Sequence, residues 1–200
     1  MDVPLDRRAE LLGRIVEDLL AGGAAEMSLR PLAQRVGTSA RLLIYHFGSK
    51  EQLLADALAL VRQHIQASLA ARSARVKPQS LRGLVMMVWD WAIEAPNQRY
   101  FRLLFEVDGL AMFDRISFPE AVRKANSGVW ISRIERAAAS LPSDGALFAA
   151  HSTLILGALV GLLQDFLSTG ERARCEAALT TLVDLISGDV AAPQSQGSAS

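Results

Sequence analysis

The sequence predicts an all-α chain: an N-terminal three-helix unit of helix-turn-helix type, joined by a long helix to a larger helical C-terminal body. Three observations carry this. Ala, Leu, Arg and Glu are common and β-branched runs are scarce, while half of the 200 residues are hydrophobic. Apolar side chains recur at three- and four-residue intervals through most of the chain. Gly22, Gly37, Gly48, Pro78, Pro96, Pro119, Pro142 and Gly170 separate the periodic segments.

The first helix is expected over 7–21, with Leu12, Ile15 and Leu19 on one face and Gly22-Gly23 ending it. Ser28 is placed to cap a second helix whose inner face is Leu29, Leu32, Ala33 and Val36. Gly37 supplies a turn. A third helix starts at Thr38 or Ser39 and stops at Gly48. Ser49 with Gln52, in SKEQ, reads as a capping box for a fourth helix that continues to about Ala71. Further helices are expected over 79–94, 97–113, 119–140, 144–168 and 171–187. Residues 189–200 are polar and of low complexity, expected as a disordered tail. The domain division read from this pattern is 1–54, then 55–188, then the tail.

Charge locates a candidate function. The chain has 21 basic and 21 acidic residues and so no net charge. A nucleic-acid footprint is nevertheless a local patch rather than a total. Between Met27 and Lys50 there is no acid, while Arg30, Arg35, Arg41 and Lys50 are all present. A short helix with one apolar and one polar face suits the major groove, its N-terminal end meeting base edges. In the third helix Thr38, Ser39, Arg41 and Tyr45 can face outward, with Leu42 or Leu43 and Phe47 holding it down. Arg41 is the candidate for guanine, because its fork matches O6 and N7. Thr38 and Ser39 can donate to bases or phosphates. Tyr45 and His46 sit nearer the helix end, where a backbone contact is expected. Lys50 begins the fourth helix, where its charge and free N–H groups both suit a phosphate. Ser28, Arg30 and Leu42 complete the predicted DNA-contact set. Taken alone, Arg41 and Lys50 also read as solvated surface and Tyr45 as partly core.

The segment resembles the N-terminal DNA-binding domain of the TetR family of bacterial transcriptional regulators. The resemblance rests on Leu32-Ala33, Gly37-Thr38-Ser39, Leu43-Ile44-Tyr45-His46-Phe47 and Ser49-Lys50-Glu51-Gln52-Leu53, aligned without a gap. Three positions depart from the family pattern. Ile44 replaces a common tyrosine, Arg41 stands where a small residue is usual, and Thr38 replaces a common valine. The resemblance implies double-stranded palindromic operator DNA as a partner, homodimerisation, and a small-molecule inducer whose effect reaches DNA through the fourth helix. Repression is expected over activation.

The body fits those implications. Segment 152–166 reads STLILGALVGLLQDF, with Gly157 and Gly161 four apart. The predicted dimer surface is Leu154, Gly157, Leu159, Gly161 and Leu162, with Leu179, Leu182, Val183 and Ile186 on the last helix; ordinary monomer core is the other reading. An apolar or aromatic effector is expected against Met86, Trp89, Phe101, Phe105, Asp108, Asn126, Trp130 and His151, all of which also read as plain core.

Other classes find little support. The three histidines form no metal motif, there is no glycine-rich phosphate loop, and the single Cys175 allows no disulfide framework within one chain. No catalytic residue, metal or cofactor is expected. Acids precede the first apolar stretch, unlike a secretory signal, and the strongest apolar run, 154–163, is short for a bilayer. A cytoplasmic protein with no membrane partner is expected. The alternative is a helical protein-interaction module without specific DNA binding.

Overall fold

The computed structural model describes residues 4–117, 141 and 145–188. Among the described residues there are eight helices and no strand. They are α1 (Pro4–Gly22), α2 (Leu29–Arg35), α3 (Ala40–Phe47), α4 (Lys50–Arg75), α5 (Leu81–Ala92), α6 (Ala95–Met112), α7 (Gly145–Thr169) and α8 (Arg172–Ser187). The helix expected over 119–140 and the tail over 189–200 lie outside the described residues.

Two compact units form, one from Met1–Lys77 with Asp90–Val129 and the other from Pro78–Trp89 with Trp130–Ser200. The changeover at 89/90 falls inside α5. This differs from the division at residue 54 read from the sequence. The reason is α4: Leu54, Leu58, Val61, Ile65 and Leu69 continue one buried stripe, so the helix packs as a whole with α1, α3 and α6. At 26 residues it runs for about 39 Å.

In the first unit α1 supplies the centre. Leu11, Ile15, Val16 and Leu19 are buried at helical spacing, and α2, α4 and α6 pack around them. A polar network also holds α4, α5 and α6. The Trp91 indole N–H donates to Ser68 Oγ at 3.0 Å, and Ser68 donates in turn to Asn97 Oδ1 at 3.3 Å. Asn97, just 3% exposed, donates to the Trp91 carbonyl at 2.7 Å. Every member has a partner, the condition under which burying such groups is tolerated.

In the second unit α7 packs on α8 through Ile155, Leu159, Leu163, Cys175, Leu179 and Val183. Trp89 is fully buried; its indole N–H donates to Glu176 at 3.1 Å and its ring meets Phe166 edge-on at 6.0 Å. Within α7, Ala146–Thr169 is long and apolar enough to cross a membrane, with mean hydropathy 2.0. The short run 154–163 understated this, because flanking Ala, Phe and Leu residues carry the hydropathy further. Asp165 near the end of this helix is engaged by Arg174 of α8 at 2.7 Å.

Candidate nucleic-acid interface

The α2–α3 pair is set by backbone chemistry that the sequence largely specifies. The Val36 N–H closes α2 onto the Leu32 carbonyl at 3.0 Å, and Gly37 then adopts φ +72°, the left-handed conformation that suits glycine. Ser39 is the N-cap of α3, with its Oγ accepting the Leu42 N–H at 3.2 Å. Ser49 caps α4 in the same way, accepting from Gln52 N–H at 3.0 Å. The capping box is only half formed, because the Gln52 amide instead donates to Asp56 at 2.9 Å. Ser28 stands at the N-cap of α2 in an extended conformation, but its side chain makes no capping bond.

Alternation around α3 decides what it shows. Leu43 and Phe47 are buried. Arg41, Ile44, Tyr45 and Gly48 recur at three- and four-residue intervals and are exposed, Tyr45 at 80%. The alternative that Tyr45 belongs to the core is therefore excluded. Leu43, not Leu42, is the inward leucine; Leu42 and His46 are half-buried. Ser28, Arg30, Ser39, Arg41 and Lys50 are exposed, and among the described residues no ion pair engages Arg30, Arg41 or Lys50.

Thr38 does not behave as expected of a DNA contact. Its Oγ1 is buried and has no hydrogen-bond partner. The backbone fixes it there, since the Thr38 N–H donates to the Ala33 carbonyl at 2.8 Å. Arg35, counted with the basic patch, is turned away too. Its guanidinium donates twice to Asp18 of α1, at 2.6 and 2.8 Å, and this bonding raises its pKa further.

Two positioning residues escaped the sequence reading. Arg8 of α1 donates to the His46 carbonyl at 3.2 Å, pairs with Asp56 of α4, and lies over the Phe47 ring at 4.9 Å. It thereby ties the C-terminal end of α3 to α1 and α4. Arg14 donates to the Val36 carbonyl at 3.0 Å, doing the same for α2. Unsatisfied carbonyls at helix ends are natural acceptors for such groups. The partners are 38 and 22 residues away, so no local pattern points to them. Ile44, not singled out by the sequence reading, shares the exposed face of Arg41, three residues before it.

Of the residues expected to meet an effector, Trp89, Phe101 and Phe105 are placed in aromatic packing contacts. Phe101 is buried, edge-on to Trp91 at 5.7 Å and tilted against Phe105 at 6.4 Å. Trp89 is core of the other unit. Met86 and His151 are half-buried, and His151 Nδ1 donates to the Leu147 carbonyl of its own helix at 3.0 Å. Asp108 is solvent-accessible, yet packing around its carboxyl raises its pKa and nearby Arg62 opposes the rise. Asn126 and Trp130 lie outside the described residues. An open cleft of about 680 Å³ lies elsewhere, between α1 and the end of α2, with Glu10, Glu17, Asp18 and Arg35 in its wall.

The predicted dimer residues divide. Leu159, Leu179 and Val183 are buried between α7 and α8, so they are core of one chain and not a free face. Leu162, Leu182 and Ile186 are half-buried. Leu154 is 53% exposed, and Gly157 and Gly161 are exposed with nothing within 4 Å of where a Cβ would stand. Val160 at 50% and Leu185 at 60% join them, neither of which the apolar stripe had singled out.

A short helix that follows a glycine turn, shows Arg41, Ile44 and Tyr45 on its outer face and is pinned at its end to a supporting helix has the geometry of a helix-turn-helix. Residues 17–57 match the family model for bacterial regulatory proteins of the tetR family, spanning the second half of α1, all of α2 and α3, and the start of α4. The fold is similar to a crystal structure assigned as a TetR-family transcriptional regulator from Rhodococcus sp. That likeness has a TM-score of 0.64 at 19% identity, over 90% of this chain and 98% of that one. No curated protein sequence matches the chain. Residues 17–57 thus resemble the DNA-binding segment of the tetR family, and the chain as a whole shares the fold of that structure.

Proposed function

We propose that the protein is a cytoplasmic homodimeric repressor that reads a palindromic operator with α3 and is released from it by a small apolar or aromatic effector. The observation that carries the DNA-reading part is the outer face of α3. Arg41, Ile44 and Tyr45 project together from a helix whose other side is locked to α1 and α4. On this reading Arg41 addresses guanine, Ile44 packs on a thymine methyl, and Tyr45, Ser39, Arg30 and Lys50 meet backbone phosphates. The Ser39 hydroxyl can donate outward while its oxygen accepts the cap bond. Thr38 drops out of the contact set.

Homodimerisation is supported by α7. Just 28% of its most apolar window is buried within the chain, leaving a face of Leu154, Gly157, Val160 and Gly161 with Leu185 of α8. Large exposed apolar faces mark interfaces. The two glycines let a second backbone approach closely, and a two-fold pair would set two copies of α3 one DNA turn apart. The effector is supported by the family resemblance, with the half-buried Met86 and His151 as residues to probe. Repression would follow from occupying a promoter against polymerase.

The test is binding of the purified protein to the intergenic DNA beside its own gene, at stated salt, against a scrambled duplex. A specific two-fold footprint supports the regulator reading. Binding no tighter than to scrambled DNA, there and in a genome-wide selection of sites, would favour a protein-interaction module.

A further inference from the structure

Helix α6 reaches α1 and the loop that leads into α2, at one point each. Arg99 donates to both carboxylate oxygens of Glu17 on α1, at 2.9 and 3.3 Å, in solvent. Seven residues further along α6, Glu106 reaches the loop between α1 and α2. One of its carboxylate oxygens accepts the Ala24 backbone N–H at 2.9 Å, and the other accepts the Ala25 N–H at 2.8 Å. Gly23, next in line, has φ +78°, and a Cβ there would stand 2.7 and 2.8 Å from those same two oxygens. The glycine therefore serves both the turn and the close approach of the carboxylate.

The loop is short and its far end is the start of the reader. Ala24 and Met27 are buried, the Met27 N–H donates to the Ala24 carbonyl at 3.1 Å, and Ser28 opens α2. Where Ala24 and Ala25 are held thus sets how the chain enters α2, and α2 sets α3 through the Gly37 turn. We propose that Glu106 is a positioning residue for DNA binding: its carboxylate locks the α1–α2 loop to α6, so that a displacement of α6 is delivered to α2 and α3 through this clamp. This rests on α2–α3 being the DNA-reading surface. A carboxylate holding two adjacent N–H groups, one on each oxygen, is charge-assisted and geometrically demanding, and a shift of about 1 Å breaks it. The Arg99–Glu17 pair is long, exposed and compliant, so it can follow such a shift without passing it on.

The test uses the full chain and a duplex selected by the wild type from a random-sequence library. Affinity for the selected and a scrambled duplex, thermal unfolding, and hydrogen exchange at Ala24 and Ala25 are compared for wild type, Glu106→Gln and Arg99→Gln. The glutamine keeps the shape but sets an NH2 group against one of the two N–H donors. Glu106→Gln is expected to lower affinity for the selected duplex about tenfold, with under about twofold change on scrambled DNA, and to speed exchange at both amides about tenfold. Arg99→Gln is expected to change each by less than about twofold. If Glu106→Gln does not fold, Glu106→Asp, which keeps the charge but shortens the reach, is held to the same criteria. Selected-duplex affinity within about twofold of wild type in a folded variant, or an equal loss on both duplexes, overturns the inference. A wild type that does not discriminate the two duplexes refutes the DNA-reading function instead.

Discussion

Replacing Thr38 by valine should stabilise the protein and leave its DNA affinity intact. The Thr38 hydroxyl is buried without a partner beside the N-cap of α3. Burying a hydroxyl without a compensating bond costs about 1–3 kcal/mol on protein scales. Valine keeps the β-branch and nearly the same volume, and turns the desolvated oxygen into a buried methyl worth about 0.8 kcal/mol. The backbone contact at this position, from the Thr38 N–H to the Ala33 carbonyl, is untouched. Allowing for partial relaxation around the hydroxyl, the net gain is about 1–2 kcal/mol, a rise in Tm of about 3–6 °C for a chain of this size. The assay is thermal unfolding followed by circular dichroism, with fluorescence anisotropy on the selected duplex. A Tm that is unchanged or lower refutes the burial argument. A loss of affinity above about threefold refutes the claim that the hydroxyl is not a DNA contact.

Other expectations are as direct. Arg8→Met removes the bond to the His46 carbonyl, the Asp56 pair and the stack on Phe47. It should destabilise the protein by about 1–2 kcal/mol in urea unfolding, and an effect under about 0.3 kcal/mol would show that α3 needs no such tie. Arg41→Ala should relax discrimination at one base pair, costing about 1–3 kcal/mol on the selected duplex, and equal weakening on scrambled DNA would remove it from the base readers. Lys50→Ala should weaken all duplexes alike and reduce the salt slope by about 1. Leu154→Asp places a charge on the exposed face of α7 and should yield a monomer in sedimentation velocity; an unchanged dimer moves the interface elsewhere. Asp165 is held below the ordinary carboxylate range, first by its hydrogen bond from Arg174, so its contribution is full above that range and lost as pH falls through its folded value. The Tm difference between wild type and Asp165→Asn should therefore hold from about pH 7 to 5 and shrink progressively as pH falls below about 4, and a gap that does not shrink on acidification contradicts the assignment.

Local signals in the sequence located the helices well, because caps and breakers act over three or four residues. Ser39, Ser49 and Gly48 bound α3 and α4 where their chemistry says they should. Local signals failed where the third dimension chooses among equals. Leu154, Leu159 and Leu162 all belong to one apolar segment, yet α8 covers Leu159 and leaves Leu154 in solvent. Periodicity marks an apolar stripe and does not say which part a neighbouring helix takes. The same limit hid Arg8, Arg14 and Glu106. Each acts on a backbone group far away in the chain, and a backbone group carries no sequence signature.

How a chain without net charge offers a positive face is answered by where its acids sit. Glu10, Glu17 and Asp18 lie along α1, and they take up Arg14, Arg99 and Arg35 respectively. Asp56, on α4, takes up Arg8. These pairs are worth little as surface ion pairs, yet they have a second effect. They neutralise the cations that hold the reader together and keep the acids on the supporting helix rather than on α3. The cations left without an acid among the described residues include Arg30, Arg41 and Lys50, one each on α2, α3 and the first turn of α4. A phosphate backbone attracts local charge within about 10 Å at ordinary salt, so the chain's total matters less than this sorting. Sorting also divides the arginines by task. Arg8 and Arg14 each divide their donors between an acid and a carbonyl at a helix end, while Arg41 stands exposed with no ion pair among the described residues, as the proposed base contact requires.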